Sequence, residues 1–341
     1  MNLQVPPGSG DGRGPARRDG EEGKHRFRGS SVTGLVSQGL FPGRARAIPR
    51  NPPPALRPSR GADGEPGEGS LSVARDFTLE KYRDLCCCLQ DRGFTPVTLS
   101  GHLRQPDLEG SRRVILRHDV DLSPKMALRM AELERELGIQ ATYYFRYPFT
   151  FDPAAIRATT RLGHEVGYHY EVLTKTRGDL PRALRLFGEE LAAFREVCPV
   201  VTVAAHGGSR SPQDNRDIWN HARFGDFNLL GEAYLSLPDF LYFSDTGRTW
   251  SPRGKVRDSI RNGRSPPAEI RTTTDLLHWI AVTREARLSL NVHPARWPSG
   301  LGGEAMALGQ DFLNNLVKGT FRRVRALKGS PATPEEPDHR E

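Results

Sequence analysis

The chain has 341 residues and carries 49 Lys/Arg against 41 Asp/Glu, a formal charge of +8. It contains no run of about 20 apolar residues that would span a bilayer, and its basic residues are scattered rather than interleaved with aromatics, so neither a membrane span nor a nucleic-acid surface is expected. Residues 1–75 hold 14 of the 35 glycines, 10 of the 27 prolines and 12 Lys/Arg against 7 Asp/Glu, which puts +5 of the charge in a stretch with no sustained apolar period.

That stretch includes Asn51-Pro52-Pro53-Pro54, which can continue neither a helix nor a central strand, and it is expected to be a disordered arm. A single domain is expected over 76–328, with a disordered tail over 329–341. No basic stretch followed by an apolar one is present near the N-terminus, so no signal peptide is expected, and the expected location is the cytoplasm. Adjacent Cys86-Cys87-Cys88 point in three directions from a helix and cannot form a Cys-x-x-Cys pair, while Cys198 stands alone. Reduced thiols fit that location.

Within the domain, a helix is expected over 78–92, ending at Gly93, and then a strand over 114–120. Ser123-Pro124 supplies an N-cap and a first-turn proline, and Met126, Met130, Ala131, Leu133 and Leu137 give a buried stripe that ends at Gly138. A strand follows at 141–146. Asp152-Pro153 repeats the cap signal for a helix ending at Gly163, and 164–170 reads as a short strand. An amphipathic helix over 180–197 places Leu184, Phe187, Leu191 and Phe194 at helical spacing, ahead of an apolar strand over 200–205. A helix over 274–286, a strand over 288–292 and a terminal helix over 310–327 complete the order. Strands alternating with helices imply parallel strands joined by crossovers, an α/β fold that is either a doubly wound sheet or a barrel.

The strand ends carry the chemistry. The strand 114–120 runs into His118-Asp119-Val120-Asp121, where alternation turns Asp119 and Asp121 one way and His118 and Val120 the other. Two neighbouring carboxylates repel and are costly to desolvate unless a cation or proton lies between them, which marks a metal or acid–base site. Three further strand ends carry His169 and Glu171, His206, and His293. One histidine at a strand end is an ordinary hydrogen-bonded core residue. Four such ends in one parallel set point to a shared site, because functional groups gather at the carboxyl ends of parallel strands. Imidazole plus carboxylate is also the ligand set of catalytic zinc.

Over roughly 114–297 this succession resembles the polysaccharide deacetylases of carbohydrate esterase family 4, the NodB-homology fold, in a branch that opens with Arg117-His118-Asp119-Val120-Asp121. Gly163-His164-Glu165-Val166-Gly167 and Leu290-Asn291-Val292-His293 match two further motifs of that family. The resemblance implies a distorted (β/α) barrel of about seven parallel strands. It implies Asp119 as catalytic base, Asp121 and His169 as ligands of a divalent metal, zinc, and His293 as general acid. The family's second histidine ligand falls on Leu173, which cannot bind metal, and Glu171 and His206 are the nearby substitutes. Arg117, on the strand face of Asp119, is placed to tether the base. The implied activity is removal of an acyl (acetyl) group from an N-acylated sugar or glycan precursor. Asp119 takes a proton from metal-activated water, and His293 donates one to the leaving amine. Two alternatives stand beside it: a catalytically silent barrel that binds a glycan or a biosynthetic partner, and a hydrolase of a non-sugar amide.

Arg248 with Trp250, and Arg296 with Trp297, lie in loop-like sequence. There an indole can stack on a sugar ring while a guanidinium holds hydroxyls or a carboxylate, although such pairs also serve as structural stacks. Asp214 begins an apparent capped surface helix. Asp258, His221 and His278 read as ordinary structural residues.

Overall fold

The computed structural model describes residues 76–105, 111–207, 211–255, 257–260 and 263–299. The expected arm over 1–75, helix over 310–327 and tail over 329–341 lie outside the described residues. Helix α1 (Leu79–Asp91) is capped by the Thr78 hydroxyl, which accepts from the Lys81 N–H, and it is followed by β1 (Phe94–Pro96) and α2 (Leu99–Arg104). Strand β2 (Arg112–Val120) leads through the Ser123 cap into α3 (Pro124–Glu136), then β3 (Thr142–Phe145) and the Asp152-capped α4 (Pro153–Arg161). Strand β4 (Glu165–Tyr170) precedes the short α5 (Val172–Lys175) and the long α6 (Leu180–Arg195), before β5 (Thr202–Ala205). After two 3₁₀ turns come β6 (Gly231–Glu232), β7 (Leu241–Ser244), α7 (Thr273–Val282) and β8 (Arg287–Val292).

All strand pairs are parallel, in the order β6-β5-β4-β3-β2-β8-β7, with β1 beside the start of β2. The seven strands of that order form a curled half-barrel flanked by helices, the architecture of the distorted barrel expected above. Among the described residues β6 and β7 do not pair, so the barrel is open there. The last strand, β8, inserts between β2 and β7, with Arg117 in register with Asn291. This crossover carries the carboxyl end of β8 to that of β2. Among the described residues, no helix is long and apolar enough to cross a membrane.

The caps and periods place the main elements within one or two residues, with one larger difference. Helix α7 stops at Val282 rather than 286, because Thr283 turns extended and the carbonyls of Thr283 and Glu285 accept from the Arg112 guanidinium at 3.0–3.2 Å. A long-range contact thus overrides local propensity. Strands β1, β6 and β7, of 3, 2 and 4 residues, are too short to show a period in the sequence.

His118 points to the opposite face from Asp119 and joins a buried network between the sheet and its helices. Glu134 of α3 accepts from the Tyr82 hydroxyl at 2.5 Å and the Tyr143 hydroxyl at 2.6 Å, and pairs with His118 Nε2 at 2.8 Å. His164 lies 3.6 Å from the same carboxylate and accepts the Ala141 N–H. Its neighbour Glu165 accepts from Ser100, Thr142 and Thr202, and a Cβ on Gly167 would overlap the Tyr144 ring. The 163–167 motif therefore builds the barrel wall, not the site. Glu134→Ala would strand these donors in the core, and a loss of about 3–5 kcal/mol is expected by urea denaturation.

Candidate metal centre

Asp119 and Asp121 converge on one imidazole: His169 Nε2 lies 3.6 Å from Asp119 Oδ2 and 3.6 Å from Asp121 Oδ1. Strand β5 runs beside β4, and the chain leaving it places His206 Nε2 3.7 Å from the same Asp121 Oδ1. The donor atoms of Asp121, His169 and His206 all lie within 4.8 Å of one another. Each imidazole is committed on its far side. His169 Nδ1 donates to the Ala204 carbonyl at 2.9 Å, and His206 Nδ1 meets Glu171 Oε2 at 2.9 Å. Both Nε2 lone pairs are thereby turned toward Asp121, the usual second-sphere arrangement of metal-binding histidines. Asn215 holds the His206 segment by donating to its carbonyl at 2.9 Å.

Asp121 Oδ1 is buried without a hydrogen-bond partner. A bare buried carboxylate oxygen is costly, and here it faces two imidazole nitrogens at 3.6 and 3.7 Å. Two donors about 2.1 Å from a tetrahedral ion lie roughly 3.4 Å apart. One carboxylate and two neutral imidazoles, with further positions left open, fit a catalytic divalent metal. The protonation states agree with this. Burial pushes His169 down to about 4 against the pull of Asp119 and Asp121, so the ring is neutral near pH 7, as a ligand must be. Burial opposes ionisation of Asp121, but His206, His293, His169 and Arg146 outweigh it and hold the carboxyl well below its usual range.

Two acid–base groups flank the cluster. Arg117 grips Asp119 through two parallel hydrogen bonds, Nε to Oδ1 at 2.8 Å and Nη2 to Oδ2 at 2.9 Å, and Asn291 donates to Oδ2 at 3.0 Å. The guanidinium in turn lies 3.9 Å over the Tyr234 ring. Burial alone would raise the Asp119 pKa, but the Arg117 charge and two histidines bring it below its usual value. On the other side, His293 Nδ1 pairs with Asp245 Oδ1 at 2.6 Å, while Nε2 points to Asp121 Oδ2 at 3.8 Å. Burial and Arg296 work against its proton, yet the Asp245 carboxylate prevails and raises the pKa above 6.5. Asp245 also accepts from the His293 N–H, Arg296 and the Trp297 indole, at 2.9, 2.7 and 2.7 Å.

Several expected roles change. Glu171 is not in the donor set, because both its oxygens accept from Arg146 at 2.9 Å and one also holds His206. This pairing, after the cost of burial, holds its carboxyl at about 2. Of the two substitutes for Leu173, His206 is the one whose free nitrogen faces Asp121. Trp250 and Trp297 cannot stack on a sugar, since both are 0% exposed and pack with Phe77 in the core. Arg248 is also buried, in a turn at φ +54°, and Arg296 is tied to Asp245. Asp258 is more than a bland surface acid: it accepts from the hydroxyls of Tyr234, Tyr242 and Ser244 at 2.5–3.1 Å, behind Asn291. His221 and His278 are exposed and stand outside the donor cluster, and Asp214 caps a 3₁₀ turn. Asp245 was the residue to find, for Leu241–Ser244 is an apolar strand ending in Asp-Thr-Gly. Arg146, which follows β3, gives no such signal.

No family model and no curated protein matches the chain. Solved structures do resemble it. A family 4 carbohydrate esterase from Streptococcus mutans is 13% identical, with a TM-score of 0.38 over 66% of this chain and 89% of that one. The peptidoglycan deacetylase PdaC from Bacillus subtilis is 13% identical, with a TM-score of 0.33 over 62% and 98%. An activity-restored mutant of a family 4 pseudoenzyme from Bacillus anthracis is 15% identical, with a TM-score of 0.32 over 62% and 64%. Likenesses this distant carry no argument about chemistry, which has to come from the side chains of this chain itself.

Proposed function

We propose that this chain is a metal-dependent hydrolase that removes an acetyl group from an N-acylated sugar. One observation carries the reading: the orphaned Asp121 Oδ1 faces two imidazole nitrogens, between an arginine-clamped carboxylate and an aspartate-paired histidine. Asp121, His169 and His206 would hold the ion. A divalent cation there, zinc by its preference for this donor set, supplies a Lewis acid for an acyl carbonyl and lowers the pKa of water.

The side chains supply the proton transfers. Asp119, kept ionised and oriented by Arg117 and Asn291, accepts the proton of the attacking water. His293, kept protonated by Asp245, gives a proton to the departing nitrogen, so the C–N bond breaks to a free amine and acetate. Arg146 and Glu171 orient His206. The choice of a sugar rests on the motif resemblance. The test is elemental analysis of the purified protein together with acetate release from tri-N-acetylchitotriose. Stoichiometric zinc and acetate release abolished by a chelator are expected. A protein that takes up no metal sinks the reading.

A further inference from the structure

With both tryptophans in the core, Phe149 is the one exposed aromatic ring among the described residues, 65% accessible. It sits on the loop after β3, and that loop is fixed. The Thr150 hydroxyl donates to the Val120 carbonyl at 2.7 Å and accepts the Arg146 N–H at 2.9 Å, and the Thr150 N–H returns to the Arg146 carbonyl at 3.0 Å. One face of the ring lies 4.7 Å from the Arg146 guanidinium. That guanidinium is anchored on Glu171, which holds His206, and reaches the Asp121 carbonyl at 3.5 Å. Leu122, next to Asp121, is 55% exposed. A flat apolar face is thus held rigidly at the mouth of the cluster, with its other side open to solvent.

Resting on the hydrolase reading above, we infer that Phe149 is a stacking platform for a pyranose ring of the substrate and sets its preference for a saccharide. Two side chains offer far less area than the roughly 800 Å² per partner of a stable protein interface. An acyl chain needs an enclosed slot, which an open rim does not provide. A single saturated ring, presenting a face of C–H groups, matches one aromatic face in size and polarity.

The test compares zinc-loaded wild type with Phe149→Ala, Phe149→Leu and Phe149→Trp. The probes are tri-N-acetylchitotriose and N-acetylethanolamine, which carries the acetamide without a ring. The Ala and Leu variants are expected to raise KM for the trisaccharide about five- to tenfold with kcat within about twofold, leaving N-acetylethanolamine unchanged, and Trp to restore wild-type KM. Calorimetric titration of the trisaccharide into Asp119→Asn protein, with and without Phe149→Ala, should show the same five- to tenfold change in Kd. Equal effects on both probes, or a Kd change below about twofold, overturn the inference. If neither probe releases acetate but the Kd change appears, the hydrolase reading fails and the platform stands.

Discussion

Asp119→Asn is expected to lower turnover of an N-acetylated substrate by about 10²–10⁴-fold while the protein still takes up stoichiometric zinc. The amide cannot accept the proton of an attacking water, but it leaves Asp121, His169 and His206 in place. The substitution also has a structural cost. Arg117 and Asn291 both present donors to this carboxylate at 2.8–3.0 Å, and the Asn side chain can satisfy them with only one oxygen. Arg117 is buried, so removing its counter-charge is expected to cost up to about 3–5 kcal/mol. A thermal melt and a zinc assay on the same sample therefore accompany the kinetics. A folded, zinc-loaded, inactive variant is the expected result, and loss of zinc would exchange the roles assigned to the two aspartates.

Asp121→Asn is expected to act on the metal itself. It removes the only carboxylate in the donor set and the charge that balances the ion, so zinc affinity, measured by competition with a chelator, should collapse. Glu171→Gln serves as its reference. Glu171 touches His206 Nδ1 and Arg146 rather than the open centre of the cluster, and losing a partner of that kind costs about 10- to 100-fold in affinity. The Asp121 variant should lose more than the Glu171 variant. Equal losses would mean that Glu171 is itself a ligand, contrary to its engagement by Arg146.

Much of the fold is written locally. Thr78, Ser123, Asp152 and Asp179 each cap a helix with an oxygen that accepts an N–H two or three residues on, and such signals survive without knowledge of the rest of the chain. Alternation along a strand is equally local. It sends Asp119 and His118 to opposite faces, one to the cluster and one to the Glu134 network. The parallel α/β class follows from the order of these pieces, and so does the grouping of polar residues at strand ends.

What the sequence by itself determined, then, was the kind of site and the set of residues from which it could be built. Tertiary structure decided which of them meet. Choosing His206 over Glu171 depends on β5 lying beside β4 and on Arg146 arriving from β3 to occupy the carboxylate. Pairing Asp245 with His293 and Asn291 with Asp119, across 48 and 172 positions of chain, depends on β8 inserting between β7 and β2. Burial of Trp250 and Trp297 depends on Phe77 closing over them. None of these has a local signature, because each is fixed by strand order and depth in the core, where desolvation and packing act between residues far apart in the chain.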